Sequence, residues 1–158
     1  MSNSLDEMET YLTMIKIPLR LSCKTHSGWP MILSLWYLYE DGRLYCATQD
    51  SSKVVRYLEH EPRCAFEIAG DLPPYCGIRG QARALLDPTR GGEILEKLLH
   101  RYQGNTETSL AKRLMKKKST EVAIILEPIN LFQWDFSGRM EPISPESLKL
   151  NECPQAME

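Results

Sequence analysis

The residues best suited to chemistry lie in one polar turn, Thr48-Gln49-Asp50-Ser51-Ser52-Lys53, which follows an apolar strand pattern and opens a short helix. A phosphate carries close to two negative charges, and a site that holds it needs several N–H or O–H donors and at least one cation. Thr48, Ser51, Ser52 and Lys53, with the free amides of a helix start, supply that set, and Arg56 follows within the helix. The same residues also suit a plain helix start, with Ser51 or Ser52 as the cap and Lys53 in solvent. Elsewhere the chain is poor in reactive groups. Glu67 and Asp71 do not form an acid/base pair, and there is no G-x-S-x-G, H-E-x-x-H or P-loop pattern, so hydrolysis and phosphoryl transfer lack residues.

The turn must be held by the elements around it. Ile17 to Thr25 alternate strictly, with Ile17, Leu19, Leu21 and Cys23 on one face, which predicts a half-buried strand. Met31–Tyr39 is apolar on both faces and reads as a central strand covered on both sides. Asp41-Gly42 is a strong hairpin signal, because a type I′ turn needs positive φ at both central positions; Arg43–Thr48 is then the return strand. Val54, Val55 and Leu58 share one side of the helix after the turn, and Pro62 blocks its continuation. Cys64–Ala69 and Cys76–Leu85 read as further strands. Asp87-Pro88 suits a helix start, and Ile94, Leu95, Leu98, Leu99 and Tyr102 form its apolar stripe up to Gly104. Thr106 or Thr108 can cap a second helix. Val122–Leu126 resumes the strand pattern, Pro128 breaks it, and Leu131–Phe136 closes it.

Strands joined by hairpin-like connections, with helices inserted rather than alternating, predict an α+β, mainly β antiparallel barrel. At 158 residues and 42% hydrophobic the chain fits one domain. It reads as an N-terminal helical or flexible segment over 1–14, the barrel over 15–140 and an irregular tail over 141–158. Nineteen basic and twenty-one acidic side chains give a net charge of −2, which offers no overall attraction for nucleic acid or an anionic membrane. The cluster Lys112, Arg113, Lys116, Lys117 and Lys118 has no interleaved aromatics and reads as a solvated face, or as a guide for an anionic ligand if it borders the cleft. The acidic N-terminus and the lack of a long apolar run predict a cytoplasmic protein. Cys23, Cys46, Cys64, Cys76 and Cys153 form no C-x-x-C pair and read as free thiols.

The run from Pro30 to Tyr45, followed by Ser51-Ser52-Lys53-Val54-Val55-Arg56-Tyr57-Leu58 and Glu61-Pro62-Arg63-Cys64-Ala65, resembles the pyridoxamine 5′-phosphate oxidase-like family of FMN-binding split barrels. Gly77-Ile78-Arg79-Gly80-Gln81-Ala82-Arg83 resembles its glycine-bearing strand, and Trp134-Asp135-Phe136-Ser137-Gly138 its closing strand. The resemblance implies a six-stranded antiparallel split β-barrel, a homodimer, and FMN in the cleft between subunits. Leu33, Ser34, Leu35 and Trp36 would edge the isoalloxazine, while Ala47, Thr48, Ser51, Ser52 and Lys53 would hold ribityl and phosphate. Arg79 would add a second cation, and Trp134 would reach the partner subunit's flavin. Barrel or dimer packing accounts for the two tryptophans equally well.

Departures narrow the reaction. Only Arg139 follows Trp134 and no histidine lies beyond His100, so the arginine and histidine pattern that holds the substrate phosphate in the oxidases proper is missing. Relatives that use the deazaflavin F420 tend to carry more lysines and an Asn-Leu pair in the helix after the phosphate turn, where this chain has Tyr57-Leu58. For a haem-binding relative, His26, His60 and His100 would be the candidate ligands, although surface or packing roles suit each of them better. The resulting expectation is an FMN-dependent oxidoreductase acting on a small molecule. The alternatives are a non-catalytic flavin- or haem-binding module and an F420-dependent reductase. No catalytic side chain is assigned, because a flavin itself carries the hydride.

Overall fold

The alternating and turn-forming patterns become seven strands and four helices in the computed structural model, which describes residues 2–140. They run α1 (Ser2–Met14), β1 (Leu19–Lys24), β2 (Pro30–Leu35), β3 (Leu38–Glu40), β4 (Arg43–Gln49), α2 (Lys53–His60), β5 (Arg63–Ala69), β6 (Cys76–Asp87), α3 (Gly91–Gln103), α4 (Ser109–Met115) and β7 (Glu121–Asp135). Single 3-10 turns follow at Lys118–Thr120 and Ser137–Arg139. The tail expected over 141–158 lies outside the described residues.

All strands form one antiparallel sheet in the order β2-β1-β5-β6-β7-β4-β3. Its two edges, β2 and β3, are separated in the chain only by Trp36 and Tyr37, so the sheet must curl until those edges lie end to end. The result is a curled sheet whose hydrogen-bond ladder stays open.

Two expectations about strands are corrected. There are seven strands rather than six, and Met31–Tyr39 is not one central strand. The Tyr37 N–H points to the Tyr102 hydroxyl at 3.4 Å, and the run splits there into β2, paired with β1, and β3, paired with β4. On β2 only Met31, Leu33 and Leu35 pack against the core, and Ile32 on the other face is 71% exposed. An apolar run cannot tell a central strand from an edge strand with a bare outer face. Pro128 likewise fails to break β7. The register shifts opposite Gln81 and Ala82, where the partners are Asn130 and Pro128, and this bulge absorbs the missing donor.

Other local signals act as read. Asp41 (φ 50°) and Gly42 (φ 73°) form the left-handed pair of the β3–β4 hairpin. The Thr108 hydroxyl accepts the Ala111 N–H at 3.1 Å and caps α4. Asp87 acts earlier than its helix: its carboxylate accepts from Thr89 and Arg90 in a turn, and α3 begins only at Gly91.

The main core fills the inside of the curl with Leu19, Leu21, Phe66, Ile68, Ile78, Ile124 and Leu126, and α1 adds Met8, Tyr11 and Leu12. Outside the curl, α3 lays Ile94 and Leu98 on Tyr45, Ala123 and Ile125. Cys23, Cys46 and Cys64 are free and buried, and burial pushes the Cys64 thiol up to about 12. Cys76 departs from the expected free thiols, because it is disulfide-bonded. No helix among the described residues is long and apolar enough to cross a membrane.

Candidate functional site

The polar turn stands where β4 leaves the sheet. Thr48 and Gln49 are the last paired residues of β4, opposite Val122 and Glu121 on β7. The Asp50 N–H then donates to the Thr120 carbonyl (2.9 Å) and the Ser52 N–H to the Gln49 carbonyl (3.0 Å), which fixes the bend. Ser52 takes the N-cap position of α2, but its hydroxyl makes no capping bond. Its Oγ is buried with no hydrogen-bond partner, a costly state for a hydroxyl in an isolated chain. Ser51 and Lys53 are exposed beside it, and Arg56 is exposed on α2. The first amides of α2 have no intrahelical acceptor, so donors, a cation and the positive end of the helix dipole share one corner.

A second group of expected residues gathers where β2 passes into β3. Leu33 and Leu35 turn to the core, and Ser34 is exposed. Trp36 stacks on Tyr102 with ring centroids 5.0 Å apart and planes 5° apart. Ala47 packs with Trp36 beneath α3 and α4, in the clusters built on Ile94, Leu98, Leu95 and Leu99. Tyr102 also donates its hydroxyl to the Ile17 carbonyl at 3.0 Å. Arg101, its neighbour, donates to the carbonyls of Leu12, Thr13 and Ile15 and so caps the end of α1. Burial raises the pKa of both Tyr37 and Tyr102. These phenols are structural donors at neutral pH.

The remaining two residues lie elsewhere. Arg79 projects from the exposed face of β6, paired in register with Glu67 on one side and Phe132 on the other. It lines a cavity of about 500 Å³ on the outer face of the sheet together with Arg20, Ile32, Glu67 and Phe132. Trp134 pairs with Gly77 near the end of β7, and its buried indole N–H has no acceptor. At ~3.3 Å per residue, roughly 40 Å of strand path separates Trp134 from Val122, the partner of Thr48. One chain therefore brings Thr48, Ser51, Ser52 and Lys53 together, with Ala47 and Trp36 behind them, but leaves Trp134 at the far end of the sheet.

The structure also adds residues that spacing did not suggest. Glu121 is buried at 5% exposure directly opposite Gln49, and it accepts a hydrogen bond from the Gln49 amide nitrogen. Burial raises its pKa most, the Gln49 hydrogen bond opposes the rise, and the Asp50 charge adds to it. A glutamate opening the apolar run Val122–Leu126 was the one available signal. The basic cluster also finds a place here. The Lys117 carbonyl accepts from the Thr120 N–H at 3.1 Å and from the Gln49 amide nitrogen, so the Lys116–Lys118 segment borders the turn, while Lys118 itself pairs with Glu96 at 2.7 Å. Among the described residues, no cluster of three or more His, Cys, Asp or Glu side chains could hold a metal. His26 and His60 sit with ring centroids 5.1 Å apart, next to Tyr57.

Neither a family profile nor a curated protein sequence matches the chain. Solved structures do. The conserved hypothetical protein Rv2991 of Mycobacterium tuberculosis superposes with a TM-score of 0.72 at 19% identity, covering 88% of this chain and 89% of that one. An F420 reductase gives 0.66 at 18% identity, covering 77% and 93%. A candidate pyridoxamine 5′-phosphate oxidase from Listeria innocua gives 0.58 at 15% identity, covering 86% and 97%. The chain thus has the fold of the pyridoxamine 5′-phosphate oxidase-like split barrels.

Proposed function

We propose that the protein binds FMN, with its phosphate in the Thr48–Lys53 turn, and acts as a homodimeric oxidoreductase on a small molecule. The observation that carries this reading is the buried, unpartnered Ser52 Oγ at the start of α2. A phosphate oxygen would satisfy that hydroxyl, the first amides of α2 and the Lys53 ammonium together. The fold shared with these solved structures supports the same placement. The backbone of Leu33–Trp36 would edge the ring system, held by the stack of Trp36 on Tyr102.

The homodimer rests on the far end of the sheet. Trp134 carries a second orphaned donor, and Ile32, Phe132 and Arg79 line an open cavity around which a second copy can pack. A partner subunit's turn could then meet this chain's Trp134. Bound flavin supplies reversible hydride transfer; the protein's residues bind its phosphate, orient its ring and shield one edge from water. Relatives that take F420 suggest a second reading, which the position of Lys116 and Lys117 beside the turn favours, since that deazaflavin carries further anionic groups beyond its first phosphate.

Titration with FMN and riboflavin tests the first reading. Lys53→Ala should weaken FMN by about 10- to 100-fold, a charge-assisted contact of roughly 1.5–3 kcal/mol, and leave riboflavin nearly unchanged. Equal losses for both ligands would remove Lys53 from the phosphate site. Displacement of FMN by F420 at comparable concentration would instead select the second reading.

A further inference from the structure

Glu121 is the one buried charged side chain among the described residues, and nothing in flavin binding calls for a carboxylate there. Burying an ionisable group costs free energy unless its hydrogen bonds serve a purpose. Its partner is Gln49, the last residue of β4, directly opposite it in the β4–β7 register. Gln49 is held at both ends of its amide. The nitrogen donates to Glu121, and the oxygen accepts the Thr120 hydroxyl at 2.7 Å. Thr120 also accepts the Asp50 N–H through its carbonyl, and the Gln49 carbonyl accepts the Ser52 N–H. The root of the turn is therefore tied down by side chain and backbone on the two residues that precede Ser51. Behind Glu121, Gly91 opens α3 so close that a Cβ there would come within 1.9 Å of the Glu121 carbonyl oxygen. That contact leaves Glu121 no room to retreat. Lys118, the cation nearest to it in sequence, is engaged with Glu96, and Arg90, next to Gly91, with Glu93.

From this bracket we infer that Glu121 is a positioning residue for the anion site: acting through Gln49, it fixes the Asp50–Ser52 bend so that the Ser52 hydroxyl and the first amides of α2 converge on a phosphate. The inference rests on the FMN reading and adds to it the group that shapes the phosphate end. A carboxylate suits the task because it accepts the amide hydrogen bond in a fixed orientation and forces the Gln49 oxygen toward Thr120. The role is one of geometry. Negative charge itself would repel a phosphate, so the uncharged isostere should serve equally well.

The test is the ratio of riboflavin to FMN dissociation constants, measured by flavin fluorescence in the full chain. A loss of general stability weakens both ligands and leaves this ratio alone, whereas a displaced phosphate turn collapses it. Gln49→Ala and Glu121→Ala should each reduce the wild-type ratio at least about 5-fold. Glu121→Gln, which keeps the acceptor and the shape, should stay within about 2-fold of wild type, and Ile68→Ala, a buried core change on β5 away from the turn, should not move the ratio. If Glu121→Ala does not fold, Gln49→Ala, on a half-exposed side chain, carries the test alone. A wild-type preference for FMN that survives Gln49→Ala unchanged overturns the inference and leaves the FMN site standing. A wild-type protein that binds both ligands equally overturns the phosphate site itself, and this role with it.

Discussion

The two halves of β7 share one backbone and live in opposite surroundings. From Glu121 to Leu126 every residue is buried, between β4, β6 and α3, and the strand forms part of the core and the floor of the Thr48–Lys53 turn. From Glu127 to Asp135 the strand pairs only with β6, and Ile129 and Phe132 are 64% and 53% exposed. Large apolar side chains thus stand on one open sheet face beside an orphaned indole N–H, the kind of patch that interaction sites present. The first half therefore belongs to the chain's own core, and the second is the face on which the proposed homodimer rests. The bulge at Pro128 lies at the boundary, where the strand changes its bend and its role.

Substitutions in the two halves should separate these roles. Ile124→Ala, at a fully buried position, should cost about 2–5 kcal/mol in urea denaturation, while Phe132→Ala should stay within about 0.5 kcal/mol for the monomer. Similar costs at both sites would erase the contrast. Phe132→Glu would place a charge on the covered face and should weaken self-association by about 10- to 100-fold in sedimentation experiments, with the far-UV spectrum unchanged. A chain that is monomeric before the substitution would instead overturn the proposed homodimer.

A smaller effect belongs to Trp134. Trp134→Phe keeps the ring and removes the N–H, so flavin affinity should fall by about 2- to 10-fold, one hydrogen bond of roughly 0.5–1.5 kcal/mol. No change in affinity would confine Trp134 to packing. The smallest effect is the pH response of the buried half. Burial holds the Glu121 carboxyl above its ordinary value, so the native state keeps a proton that the unfolded chain has released. Stability should therefore fall as pH rises from the ordinary glutamate range through the raised native value. Glu121→Gln should flatten that fall in urea midpoints taken across the range, and a fall that persists would assign it to another group.

Much of the inner half was readable in advance. The apolar run Val122–Leu126, the Asp41-Gly42 hairpin and the alternation of β1 and β6 each depend on local rules, periodicity and turn geometry. The bend at Thr48–Lys53 that opens α2 was readable for the same reason, since hydroxyls, lysine and a helix start lie adjacent in sequence. The outer half was not. Pro128 suggested a break, because nothing nearby says that a register shift against β6, with Ile129 as the extra residue, will accommodate it. Met31–Tyr39 suggested a central strand, because hydrophobicity on two faces has the same pattern whether the cover is this chain or another.

What the sequence determined by itself is most of the strand and helix segments, the Asp41-Gly42 hairpin and the chemistry available at the Thr48–Lys53 turn, all of them consequences of interactions within a few residues. Tertiary structure decided which strands became edges, that Glu121 sits under Gln49 from the far side of α3 and α4, and that Trp36 lies flat on Tyr102. It also decided that Trp134 lies at the far end of the sheet from this chain's own turn. Those outcomes follow from strand pairing and register between segments distant in the chain, and no local propensity encodes a partner.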